Sequence, residues 1–115
     1  MPLLKLETTV AVPDEKRKPL LAALSKTVAG TIGKPEQYVM VTLGQAAMMM
    51  SGNEGDAALV DVRSIGRLNS EVNRELSQHV CQLLKDFIGI SPDRVYLNFS
   101  DVEAGNWGWN GSTFG

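Results

Sequence analysis

Apolar residues recur along this chain with two alternating periods, one of two residues and one of three to four. Leu3, Leu4, Leu6 and Val10, with Thr8 and Thr9, alternate in part and predict a strand over residues 2 to 10, ended by the Val12-Pro13-Asp14 break. Leu20, Leu21, Leu24, Val28 and Ile32 then recur at helical spacing and share one face. Pro19 suits the first turn of a helix, where its missing N–H costs nothing, so the regular part is predicted to begin near Lys18. Gly33 is a C-terminal cap and Pro35 a stop. Residues 38 to 43, Tyr38-Val39-Met40-Val41-Thr42-Leu43, are aromatic, β-branched and apolar and predict a second strand.

The second half repeats the order. Met48-Met49-Met50 reads as packing, and Ser51-Gly52-Asn53-Glu54-Gly55 as a turn. Residues 57 to 63 predict a strand, and Ser64-Ile65-Gly66 a sharp bend. A helix follows with Val72, Leu76, Val80, Leu83, Leu84 and Phe87 on its apolar face, Asn69 or Ser70 as its cap and Gly89 at its end. After the Ser91-Pro92-Asp93 turn, residues 94 to 100 alternate as a fourth strand. The tail from Asn106 is small and polar except for Trp107, Trp109 and Phe114, which implies that it packs on something.

Ile32-Gly33, Pro35 and Tyr38-Val39-Met40-Val41 are echoed by Ile88-Gly89, Pro92 and Val95-Tyr96-Leu97 about 56 residues later. The chain therefore reads as one α/β (α+β) domain over residues 1 to 115, with internal repeats at about 2–43 and 57–100. Two right-handed β-α-β units side by side give a four-stranded sheet with both helices on one face. The other face is left bare. On a domain of this size that face is expected to be a large apolar patch, which implies oligomerisation through the sheet.

Composition narrows the function. Eleven basic against thirteen acidic side chains give a net charge of −2, and nothing here favours nucleic acid. Lys16-Arg17-Lys18 reads as a solvated helix entrance. Cys81 and His79 are each the only residue of their type, so no disulfide, metal or cofactor is expected. No stretch reads as a signal peptide or membrane span, which points to a cytoplasmic protein with no membrane partner; unconventional secretion is compatible with the same sequence.

One dipeptide offers chemistry. Methionine is usually trimmed before a small residue, and removal of Met1 would leave Pro2 as a free secondary amine at the start of an apolar strand. An α-amino group has a reference pKa of about 7.7 to 8.0, and burial or a nearby cation lowers it into the range of a general base at neutral pH. With Met1 retained, the nitrogen is an amide and no base.

Beyond this dipeptide, Gly33-Lys34-Pro35 with Gln37-Tyr38, Ser64-Ile65-Gly66, Asn73-Arg74, the run Ile90 to Asn98, and the ending Gly108 to Phe114 together resemble the family of macrophage migration inhibitory factor (MIF) and D-dopachrome tautomerase, in the tautomerase superfamily. The resemblance covers nearly the whole chain. It implies a homotrimer with an inner β-barrel and a keto-enol tautomerase acting on a small aromatic 2-oxo or enol acid of the phenylpyruvate or dopachrome type. It also implies Pro2 as general base and acid, Lys34 as the holder of the substrate carboxylate and Ile65 as pocket wall. Tyr96 and Asn98 of a neighbouring subunit would close the pocket, with Trp107, Trp109 and Phe114 completing the apolar wall. Plainer roles also fit: Lys34 as a cation at a helix C-terminus, Tyr96 as a strand aromatic, the tryptophans as interface filler. A cytokine-like binding or signalling trimer with vestigial activity is the alternative function.

The chain departs from the family pattern twice. Trp107 stands where the family commonly has a smaller aliphatic residue, which would narrow the pocket mouth. Ala57 and Val60 stand where MIF carries a Cys-x-x-Cys pair, so the attacking and resolving sulfurs of thiol-disulfide exchange are missing and no such activity is expected.

Overall fold

The structure, a computed structural model, describes residues 1–115. Four main strands, β1 (Pro2–Thr8), β2 (Met40–Gln45), β3 (Ala58–Ser64) and β4 (Val95–Asp101), alternate with two helices, α1 (Asp14–Ile32) and α2 (Ser70–Ile88). A short hairpin of β5 (Gly108–Trp109) and β6 (Ser112–Thr113) closes the chain. The sheet order is β2-β1-β3-β4, with β1/β2 and β3/β4 parallel and β1/β3 antiparallel. Each parallel pair is joined through its helix, so two β-α-β units meet along the central antiparallel pair.

The two sequence periods interlock to form the core. Leu4 and Leu6 of β1, with Ala58, Val60 and Val62 of β3, point to one sheet face. There they meet Leu20, Leu24, Val28 and Ile32 of α1 and Leu76, Val80 and Leu84 of α2, all buried in one cluster. Each fully buried Leu or Val contributes about 1.5 to 3 kcal/mol. Thr8, buried among them, is satisfied: its Oγ1 donates to the Ala57 carbonyl at 2.9 Å and accepts from the Val10 amide at 3.2 Å. No helix is long and apolar enough to cross a membrane.

Several elements differ from the sequence expectation. Helix α1 begins at Asp14, a turn before Lys18, because the amides of Lys16 and Arg17 both reach the Pro13 carbonyl, at 2.9 and 3.1 Å. Asp14 and Glu15 suit the positive end of the helix dipole, and Arg17 donates to Asp14 at 2.9 Å. Pro19 therefore lies inside the helix, on its exposed side. Tyr38 belongs to a single 3-10 turn (Glu36–Tyr38) that precedes β2. Of the three methionines expected to pack, Met48 and Met50 are half-buried and Met49 is 66% exposed.

The face opposite the helices is bare, but it is not the expected apolar patch. Strand register arranges it as three rows across β2, β1, β3 and β4: Met40, Leu3, Arg63, Ser100; then Thr42, Lys5, Asp61, Asn98; then Gly44, Glu7, Leu59, Tyr96. Apolar side chains sit toward the two ends. The middle is ionic, with Lys5 paired to Glu7 at 3.4 Å and Arg63 to Asp61 at 3.1 Å.

Candidate active site

Pro2 opens β1 and is buried, opposite Ser64 in the antiparallel register. The Ser64 carbonyl bonds the Val102 amide at 2.9 Å, on the β4 side. Pro2 and Ser64 thus form a non-hydrogen-bonded pair, and the backbone of Pro2 faces the β2 side of the sheet. A cleft of about 510 Å³ opens there. Met1, Pro2 and Leu3 line its floor, residues 37 to 40 one side, and Val102, Asn106 and the C-terminal hairpin the other.

The hairpin supplies an aromatic wall. Trp109 meets Tyr38 edge to face, with ring centres 6.4 Å apart and planes at 81°, and stacks on Phe114 at 5.8 Å and 11°. Asn110 and Gly111 both have positive φ, 52° and 77°, the signature of a two-residue turn matching the strand twist. The Phe114 amide bonds the Trp107 carbonyl at 3.1 Å, which folds the end of the chain back over the cleft.

The electrostatics favour a neutral amine. The terminal amine of Met1 is held below its ordinary value of 8.0, chiefly because burial penalises its charge and secondly by repulsion from Lys34. Lys34 is placed by the end of α1, where Gly33 turns into the left-handed region at φ 78° and the amides of Gly33 and Lys34 both bond the Ala29 carbonyl. Arg67 braces this turn by donating from Nη1 to the Gly33 carbonyl at 3.0 Å. No three His, Cys, Asp or Glu side chains come together as metal ligands would.

One chain brings together only part of the expected set. Pro2, Trp107, Trp109 and Phe114 line the cleft, and Lys34 reaches it through its charge. Ile65, half-buried just beyond β3, does not line it. Tyr96 and Asn98 lie on the bare face away from it, and Tyr96 instead borders a second groove with Leu59 and Met48 to Met50. The cleft adds residues that the sequence had not placed in the site, among them Leu3, Tyr38, Met40 and Arg63. Strand alternation carries the signal for two of these: Leu3 and Arg63 are the bare-face neighbours of Pro2 and Ser64. The Asn110-Gly111 pair is the signal for the hairpin.

Residues 1–115, the whole chain, match the family model described as macrophage migration inhibitory factor. The macrophage migration inhibitory factor of Meriones unguiculatus is 41% identical over 118 residues, covering 99% of both chains. The homolog from Brugia malayi is 34% identical over 116 residues and covers 100% of both. Among solved structures, the homologue from Prochlorococcus marinus superimposes with a TM-score of 0.93 at 41% identity, over 98% of this chain and 99% of that one.

Proposed function

The chain belongs to the macrophage migration inhibitory factor family, and on that premise we propose that it is a keto-enol tautomerase in which Pro2, freed of Met1, moves the proton. The observation that carries this reading is the placement of the chain's first residues. They form the floor of an aromatic-walled cleft, where burial and Lys34 hold the terminal amine below its ordinary pKa. Removing Met1 puts the amine on Pro2, itself buried at the end of a strand, so the base sits on a rigid element.

In the keto-to-enol direction the neutral nitrogen takes a proton from C3 of a 2-oxo acid. The C3–H electron pair becomes the C2–C3 double bond, the C2=O π pair moves to oxygen, and the protonated Pro2 nitrogen returns its proton to that oxygen, which regenerates the base. Ketonisation reverses these steps, and the atoms balance without a co-reactant. Lys34 holds the substrate carboxylate, the Trp107, Trp109 and Phe114 wall takes an aromatic ring, and Ile65 borders the pocket. Tyr96 and Asn98 are too far round the sheet to serve their own chain's cleft. They close that of a neighbouring subunit in a homotrimer built on the bare faces.

The test is phenylpyruvate tautomerisation by protein whose intact mass shows the loss of Met1, run beside Pro2→Ala. A fall of about 10²-fold or more in the variant is expected for loss of a positioned general base. Equal, feeble turnover by both proteins would replace the enzyme reading with that of a binding trimer.

A further inference from the structure

Arg63 is the only charged side chain lining the cleft. It stands in the row Met40, Leu3, Arg63, so its guanidinium leaves the sheet one strand away from Leu3, the residue that follows the reactive proline. Its existing partner occupies it weakly. Both Nε, at 3.3 Å, and Nη2, at 3.1 Å, donate to the same oxygen of Asp61, and Nη1 donates to nothing. The Arg63 side chain is 54% exposed and that of Asp61 26%, so the arginine end of the pair is open to solvent and its free Nη1 is available to an anion in the cleft. A guanidinium with a free edge fits a carboxylate through parallel hydrogen bonds, and aromatic walls hold a planar spacer beside it.

Lys34 is already assigned to one carboxylate and approaches from the α1 end, while Arg63 approaches from the bare sheet face. The cleft that Arg63 lines, of about 510 Å³, is large enough for more than a phenyl ring on a three-carbon acid, and Lys34 acts on its floor through its charge. From this juxtaposition we infer that the site selects 2-oxo acids whose far end carries a second carboxylate, with Arg63 as the residue that recognises it. The reacting centre is that of the tautomerase reading, on which this inference rests. A distal carboxylate gains the Arg63 contact, whereas a plain phenyl group leaves the guanidinium with Asp61 alone.

The experiment separates the two readings. Tautomerisation of 4-carboxyphenylpyruvate and of phenylpyruvate is compared in wild-type protein lacking Met1 and in Arg63→Gln, and the ratio of kcat/KM for the two substrates is the readout. The wild-type ratio should favour the diacid about tenfold, the scale of one charge-assisted hydrogen bond at a partly exposed site, and should enter through KM. In Arg63→Gln it should fall to about one. A wild-type ratio of one, measurable whether or not the variant folds, overturns the inference, as does a preference that survives in Arg63→Gln. If neither acid is turned over, the tautomerase reading has failed, and binding decides on Arg63. Terephthalate and benzoate are then titrated against the fluorescence of Trp107 and Trp109. Tighter binding of terephthalate that disappears in Arg63→Gln supports the second carboxylate site; equal affinities remove it.

Discussion

An amine at the end of a strand becomes a base at neutral pH only if its surroundings penalise the proton it carries. Burial does most of this for the terminal amine, and Lys34 adds to it. With the folded pKa below 8.0, the unfolded chain binds more protons between the two values. The linked stability is therefore complete above pH 8.0 and lost as pH falls through the folded value. On the tautomerase reading, removal of Met1 leaves the Pro2 amine beside the same Lys34 charge, and catalysis follows the proton on that amine. In Lys34→Gln the like charge is gone, the Pro2 amine moves back toward its ordinary value, and the rise of kcat/KM with pH should shift to higher pH while KM for phenylpyruvate increases. A pH profile left in place would assign the depression to burial alone. Pro2 was legible as the opening residue of a strand, from the apolar run that follows it. The place of Arg63 was not legible, because an arginine in a strand looks the same whether its side chain faces solvent or a cleft, and only the register beside Leu3 separates the two.

Both helices and all four long strands were legible from periodicity, since a buried stripe must recur every three to four residues on a helix and every second residue on a half-buried strand. Both helix C-termini were legible from Gly33 and Gly89, which turn into the left-handed region at φ 78° and 71°, but a helix start was legible only where side-chain chemistry marked it. Asn69 caps α2, its Oδ1 accepting from the Val72 amide at 2.9 Å, and Asn69→Ala should cost about 1 kcal/mol in chemical denaturation. The start of α1 has no such side-chain bond, and Pro19 points to the wrong turn. A proline this far inside a helix cannot donate to the carbonyl four residues back. Pro19→Ala should restore that bond and raise stability by about 1 to 2 kcal/mol, less than the full propensity difference because alanine also frees the unfolded chain. No gain, or a loss, would mean that the Glu15 carbonyl is already satisfied by solvent. The tail hairpin was missed because β5 and β6, two residues each, are too short to show a period; its evidence lay in the Asn110-Gly111 turn alone.

The whole molecule is more open than a compact monomer. Its accessible surface of 6680 Å² exceeds the roughly 6,200 Å² that surface scaling gives a compact monomer of this mass. Its Cα radius of gyration, 14.3 Å, likewise exceeds the roughly 13.4 Å of a compact domain this long. The excess reflects a sheet covered on one face only. Exposed on or beside the other face are Met40 at 63%, Met49 at 66%, Leu59 at 37% and Tyr96 at 65%, around an ionic centre whose charges are paired within the chain. Such a face can be buried without stranding unpaired charge, so the apolar ends set the drive to associate. Leu59 stands directly opposite Glu7 in the β1/β3 register, and Leu59→Glu would place two carboxylates together on that face. In the monomer the substitution is exposed and should change stability by little more than about 0.5 kcal/mol. In a homotrimer built on the bare faces, the same change would bury three added carboxylates, each opposite a Glu7. Sedimentation should therefore show a three-chain species in the wild type and single chains in Leu59→Glu. Because Tyr96 and Asn98 would reach the cleft only from a neighbour, phenylpyruvate turnover should fall with the assembly although every residue lining the Pro2 cleft is retained. Monomers that keep full activity would show instead that one chain completes its own site and that the bare face serves some other purpose.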